Sequence, residues 1–134
     1  MKPYSLTING GRYNFVMNKL DDILLLVDVK EFDKAWKKSG FYIGEYGKGG
    51  IGNRYDNFLV WLENNPDTPI IAPEVGFNEK NNNVGFTNGR HRFAVLRDLG
   101  ATYLPVSIQD YYEDGYLDYI IDKYKAKVIV GWRT

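Results

Sequence analysis

Hydrophobic and polar positions change period several times along the 134-residue chain, and each change marks an element. Tyr4 to Ile8 alternates polar and apolar, Asn9-Gly10-Gly11 follows, and a second strand-like run covers Tyr13 to Met17. This predicts a β-hairpin whose turn residues tolerate positive φ. Ile23 to Val29 is apolar almost throughout, the pattern of a strand covered on both faces or nearly so. Asp28 lies three positions before Glu31, which suits a capped helix start. Phe32, Ala35 and Trp36 then fall on one helical face, and Gly40 predicts the helix end.

Further on, Phe41 to Ile43 predicts a short apolar strand, and Gly44 to Gly52 carries five glycines in nine residues, the composition of a flexible loop. A helix is expected from about Asn53 to Asn64, with Tyr55, Phe58, Leu59 and Leu62 as its buried stripe, broken by Asn64-Asn65-Pro66-Asp67-Thr68-Pro69. Ile70 to Phe77 predicts a strand interrupted or bent at Pro73. A polar turn over Asn78 to Asn83 then leads into a strand at Val84 to Thr87. A helix from Arg90 to Leu99 is closed by Gly100, and Tyr103 to Ile108 is a strand in which Pro105 indicates an edge or a bend. A helix near Tyr116 to Lys125 and a strand at Val128 to Val130 complete the pattern. Strands alternating with helices indicate an α/β or α+β fold with a mixed sheet and flanking helices.

Composition narrows the picture. With 44% hydrophobic and 16% aromatic residues the chain supports one core, so one domain over 1–134 is expected. Lysine plus arginine and aspartate plus glutamate both total 17, leaving no excess of positive charge to track bulk nucleic acid. The absence of cysteine excludes disulfides, thiolate metal sites and thiol chemistry. No apolar run exceeds the five residues of Ile23 to Val27, far short of a membrane span, and no leader pattern opens the chain, so a cytosolic protein without membrane partners is expected.

The candidate chemistry lies between the strand Val84–Thr87 and the helix Arg90–Leu99. Only Asn88-Gly89 connects them, so the turn is tight and the first-turn N–H groups face outward as an anion site. Arg90, His91 and Arg92 crowd that helix start, where cations oppose the helix dipole and call for a compensating anion. That anion is either a ligand phosphate or an internal carboxylate such as Glu74 or Glu45. His91, the single histidine, is a candidate general acid or base, weighed against an ordinary structural hydrogen-bonding role. Arg97 and Asp98 are expected on a solvated face. The glycine-rich loop, with Lys48 and Arg54, is the expected second wall of the site or else a mobile surface loop. It lacks the Gly-Lys-Ser/Thr ending of a Walker loop.

Thr87-Asn88-Gly89-Arg90-His91-Arg92, followed by Phe93-Ala94-Val95-Leu96, Leu99-Gly100-Ala101 and Leu104-Pro105-Val106, resembles the ParB/sulfiredoxin superfamily over about twenty-five residues. Arg90 stands where sulfiredoxins have their catalytic cysteine and where the ParB box has glutamate, so sulfinic acid reduction is excluded and CTP hydrolysis is not implied. The Gly-Arg-His-Arg-Phe form is most similar to the plasmid fertility inhibition factor branch. Trp36, Phe41 to Gly44, Asn53-Arg54-Tyr55 and Pro73-Glu74-Val75 extend the likeness from about Val27 to Ile108. The resemblance implies Gly89, His91 and Arg92 as nucleotide-phosphate contacts, inhibition of conjugative transfer, and ATPase and DNase activities.

From the residues and the resemblance together, the expected ligand is ATP or another nucleotide with magnesium. Asn88, Gly89, Arg90, Arg92, Arg54 and Lys48 would bind it, and His91, Arg92 and Glu74 would be the candidate catalytic groups. An inhibitor acting by protein contact through exposed tyrosines is the alternative, and a DNA-binding module ranks below both because the net charge is zero.

Overall fold

A computed structural model describes residues 3–81, 83–110, 112 and 114–130. Strands β1 (Tyr4–Ile8) and β2 (Gly11–Val16) form the hairpin, with Asn9 at φ 48° and Gly10 at φ 86° in the turn. Strand β3 (Ile23–Asp28) runs into helix α1 (Val29–Lys38), and a 3-10 turn over Glu45–Gly47 precedes helix α2 (Arg54–Asn64). The run around Pro73 divides into β4 (Ile70–Ile71) and β5 (Glu74–Asn78), and β6 (Asn83–Asn88) follows. Helix α3 (Arg90–Asp98), strand β7 (Tyr103–Ile108), helix α4 (Asp114–Lys123) and strand β8 (Lys127–Val130) close the order.

Two mixed sheets result where one was expected. The smaller has the order β1-β2-β4, with β2 and β4 parallel, and the larger the order β6-β5-β7-β3-β8. Pro73 marks the point at which the chain leaves one sheet for the other. In the larger sheet β7 lies inside, antiparallel to β3 over six residues and parallel to β5 at Glu74 and Ser107. Pro105 is therefore not on an edge strand. Its ring nitrogen faces the same side as the Ser107 N–H, which donates to the Pro73 carbonyl at 2.8 Å, and β5 pairs with β7 only at Ser107. No ladder donor is missed at Pro105.

Helix α1 starts where its capping pattern predicts, with the Asp28 carboxylate accepting from the Glu31 N–H at 3.0 Å. Its apolar face drives Phe32 and Trp36, both fully buried, into an aromatic core. Phe32 lies 4.9 Å from the Phe93 ring, and Trp36 lies 4.7 Å from the Phe86 ring. Phe86 thus couples this core to the surface of the edge strand β6. Ser39 ties the same strand to the end of α1, its Oγ donating to the Ala35 carbonyl and accepting from the Val84 N–H. The left-handed residue after α1 is Phe41, at φ 62°, not Gly40.

Phe41 to Ile43 is not a strand. Tyr42 and Ile43 are held by Arg97, and the expectation that Arg97 and Asp98 lie on a solvated face is overturned: their side chains retain only 10% and 12% of their exposure. The Arg97 guanidinium donates to Asp33 on α1 at 2.9 Å, to Asp98 at 2.9 Å, and to the carbonyls of Ile43 at 2.7 Å and Gly44 at 3.0 Å. Burial opposes its charge, but Asp98 and Asp33 more than offset that and raise its pKa. Asp98 in turn accepts from the Tyr55 hydroxyl on α2 at 2.7 Å and from the Tyr46 N–H at 3.1 Å.

Removing one partner of a buried ionic network leaves the others uncompensated. Arg97→Met is expected to cost about 3 kcal/mol or more in a urea unfolding midpoint. Arg97→Lys should recover less than half of that loss, because one ammonium cannot span the four acceptors.

Candidate functional site

Gly89 is the N-cap of α3 and the single residue between β6 and α3, and it sits at φ 87°, a left-handed conformation that glycine adopts without strain. A Cβ at this position would lie 2.5 Å from Arg92 Nη2 and 3.0 Å from the Pro73 Cα, so any other residue would displace either the guanidinium or the backbone. No side chain caps the first-turn N–H groups of α3, and no acidic residue occupies that turn. The helix start is therefore polar and positive, and it is held in place by the fully buried Phe93, Ala94, Val95 and Leu96 of the same helix.

A cleft of about 440 Å³ opens over this start, between α3 and α2. Asn88, Gly89, Arg90, His91 and Arg92 line one side, with Phe86 and Thr87 leading into it, and Arg54, Asn57, Phe58 and Trp61 of α2 form the other. Among the described residues no carboxylate lines it. Neither Arg90 nor Arg92 has an ion-pair partner among the described residues, so the internal-carboxylate explanation for the basic turn finds no direct contact. Arg90 donates to the Phe41 carbonyl at 3.0 Å and lies 5.8 Å from the Phe41 ring. Arg92 donates through Nε to the Ile71 carbonyl at 3.0 Å, while its buried Nη2 has no hydrogen-bond partner. Burial lowers the Arg92 pKa and Glu74 acts against that shift from a distance. The guanidinium stays charged at any physiological pH.

The sequence-predicted residues divide accordingly. Asn88, Gly89, Arg90, His91, Arg92 and Arg54 come together at the cleft. Lys48 does not line it and lies beside Glu45, Tyr46 and Gly47 on another face. Glu74 begins β5 opposite Asn88 and Ser107, outside the cleft lining, and Glu45 is exposed at the 3-10 turn. The second wall is helix α2 rather than the glycine-rich loop. Asn57 and Trp61 went unpredicted. Trp61 falls outside the expected apolar stripe of α2, and a tryptophan displaced from that stripe is the signal by which it could have been found.

His91 is buried, and its Nε2 accepts the Ile51 N–H at 3.0 Å. A Cβ on Gly50 would come within 3.2 Å of the same imidazole, so the loop backbone rests directly on the ring. His91 and Asp98, seven residues apart on one face of α3, thus fasten the loop at Ile51 and at Tyr46. Within the loop Gly47 takes φ 85° and lies so close to Tyr55 that a Cβ would meet its ring carbon at 2.7 Å. The glycines give close packing and positive φ to a segment that is pinned at both ends.

No family model matches the chain, and no curated protein matches it in sequence. Its fold is similar to the crystal structure of the oncogenic suppression activity protein, a plasmid fertility inhibition factor, in its gold(I) cyanide derivative. The TM-score is 0.67 at 15% sequence identity, covering 96% of this chain and 70% of that one. At that identity the likeness is one of fold. It agrees with the architecture expected from the Gly-Arg-His-Arg-Phe segment, and the chemistry of the cleft rests on the side chains above. Among the described residues no helix is long and apolar enough to cross a membrane.

The His91 pKa is lowered from its usual 6.5 by burial, then by the charges of Arg90 and Arg54. A neutral imidazole is therefore part of the folded state, and below pH 6.5 the unfolded chain binds the proton more readily. The stability contributed is complete above that pH and is lost as the pH falls, until the folded His91 also protonates. Thermal unfolding of the wild type and His91→Gln between about pH 7.5 and about pH 5.5, roughly one unit either side of the usual histidine pKa, is expected to show the wild type losing more stability on acidification. Parallel curves would refute this.

Proposed function

We propose that this chain is a nucleotide- or phosphate-binding domain that acts as an inhibitory factor of the plasmid-transfer kind. The observation that carries the binding reading is the convergence of Arg54, Arg90 and Arg92 with an uncapped helix start on one cleft lined by no described carboxylate. Guanidinium groups bind phosphate bidentately, and a helix N-terminus adds N–H donors and a favourable dipole. The unpartnered Arg92 Nη2 is a donor still available if the side chain turns toward a ligand. The inhibitory role draws its support from the fold shared with a plasmid fertility inhibition factor.

Hydrolysis has less support than binding. Glu74 stands outside the cleft lining and His91 Nε2 is occupied by the Ile51 N–H, so neither group is placed to activate a nucleophile. Magnesium would arrive on the phosphates of the ligand, and ATPase or DNase turnover would require a rearrangement of these two side chains.

A second reading is favoured by a specific feature. Phe41 and Tyr46 are 82% and 85% exposed and both hold left-handed backbone conformations, at φ 62° and 58°. Non-glycine residues in that region cost about 1–2 kcal/mol each, a strain that clusters at functional positions. Exposed aromatic side chains on a firm backbone suit contact with a protein target.

Isothermal titration of the protein with ATP, CTP, other nucleotides and inorganic phosphate, with and without magnesium, tests the first reading. Arg90→Ala and Arg92→Ala are each expected to weaken binding about tenfold or more, the scale of a lost charge-assisted hydrogen bond. No heat with any of these ligands would refute it. Inhibition of transfer that survives both arginine changes but is abolished by Phe41→Ser with Tyr46→Ser would put the protein-contact reading in its place.

A further inference from the structure

The cleft is larger than a phosphate group needs. At about 440 Å³ it falls in the range of small-molecule sites, roughly 300–1,000 Å³. Arg90, Arg92 and the α3 start occupy one side, and Arg54 stands at the start of α2 on the other. Beyond Arg54 that wall is aromatic: Phe58 and Trp61, one helical turn apart on α2, lie with ring centroids 5.6 Å apart and planes inclined by 10°. This is the one stacked pair among the described aromatic contacts outside the α4 tyrosines; the core rings meet edge-on or tilted. Both rings are only partly buried against the core, although Tyr55, Leu59 and Leu62 also anchor α2. Asn57, one residue before Phe58, brings to the same wall an exposed amide with no hydrogen bond to any described residue.

We infer that the Phe58–Trp61 wall is a base-binding subsite, so that the ligand is a nucleotide whose planar base lies along these rings while its phosphates face the arginines of α3. The inference rests on the phosphate-binding reading and adds to it the part of the ligand that phosphate alone cannot supply. Every nucleobase offers a π face, so stacking gives affinity with little choice among bases, and the Asn57 amide supplies a donor and an acceptor for a base edge.

The test compares inorganic tripolyphosphate with ATP and CTP, each with magnesium, by calorimetry on the wild type, Trp61→Leu and Phe58→Leu. Leucine keeps apolar bulk against the core and removes the flat ring. The wild type is expected to bind the nucleotides about tenfold more tightly than tripolyphosphate, within the range that one stacked base provides. Each leucine variant should lose most of that advantage while its tripolyphosphate affinity stays unchanged, which also reports that it is folded. Equal wild-type affinity for tripolyphosphate and nucleotides would overturn the base subsite and leave the phosphate site standing. Leucine variants that keep the advantage, or that lose tripolyphosphate and nucleotide binding together, would overturn it as well, the latter by assigning the rings a structural role. A wild type that binds neither ligand would overturn both readings.

Discussion

The structure depends on a guanidinium buried at the far end of the helix that carries the basic turn. Arg97 draws α1, the segment from Tyr42 to Gly44 and its own neighbour Asp98 into one network, and Asp98 extends it to α2 and to the glycine-rich loop. An arginine fork suits this task because its planar donors meet several fixed acceptors at once. Beside that clamp, α2 is positioned by apolar packing of Tyr55, Phe58, Leu59, Trp61 and Leu62. The cleft exists because α2 is held at this distance from α3.

Helix α3 therefore works at both ends. Its middle is fully buried from Phe93 to Leu96, and that burial lets its first turn carry Arg90 and Arg92 against the dipole. On the scale of about 0.3–1 kcal/mol per exposed charge, the electrostatic cost is small beside the burial of four core side chains. A helix that contributed less to the core would not tolerate two uncompensated cations and an uncapped start. The arrangement leaves the first-turn donors of α3 without a side-chain cap.

These two roles of α3 differ in how far they can be read from the sequence. The hairpin, the capped start of α1 and the Gly89 turn are local: each follows from a period or a residue type within a few positions, and each appears where expected. The clamp is not local. Arg97 meets Asp33 across 64 residues and Ile43 across 54, and a charged pair near a helix end looks like a solvated face until the fold closes over it. Phe41 to Ile43 misleads for the same reason, since three apolar residues suggest a strand but the Phe41 carbonyl goes to Arg90 and the Ile43 carbonyl to Arg97 instead of to a ladder. Pro105 misleads differently: its position inside the sheet is allowed only because β5 stops pairing two residues away. In the site, the α3 residues and Arg54 were legible, whereas the choice between Lys48 and Trp61 as the second wall turns on how α2 is rotated, which is settled by contacts with α3.

A fold shared at 15% identity leaves the chemistry of the cleft to its own side chains, and those separate charge from pH in a definite way. The positive field comes from three arginines, which stay protonated at every physiological pH. The titratable member of the basic turn, His91, does not contribute to that field while neutral, because burial and the neighbouring arginines disfavour its proton. Its imidazole instead fastens Ile51, so acidification acts on the loop and leaves the charge of the arginines unchanged. A phosphate bound among the arginines would screen part of their repulsion on His91 and raise its proton affinity. Such a phosphate would thereby be linked to the fastening of the loop through one ring nitrogen, with the arginines setting the sign of the coupling.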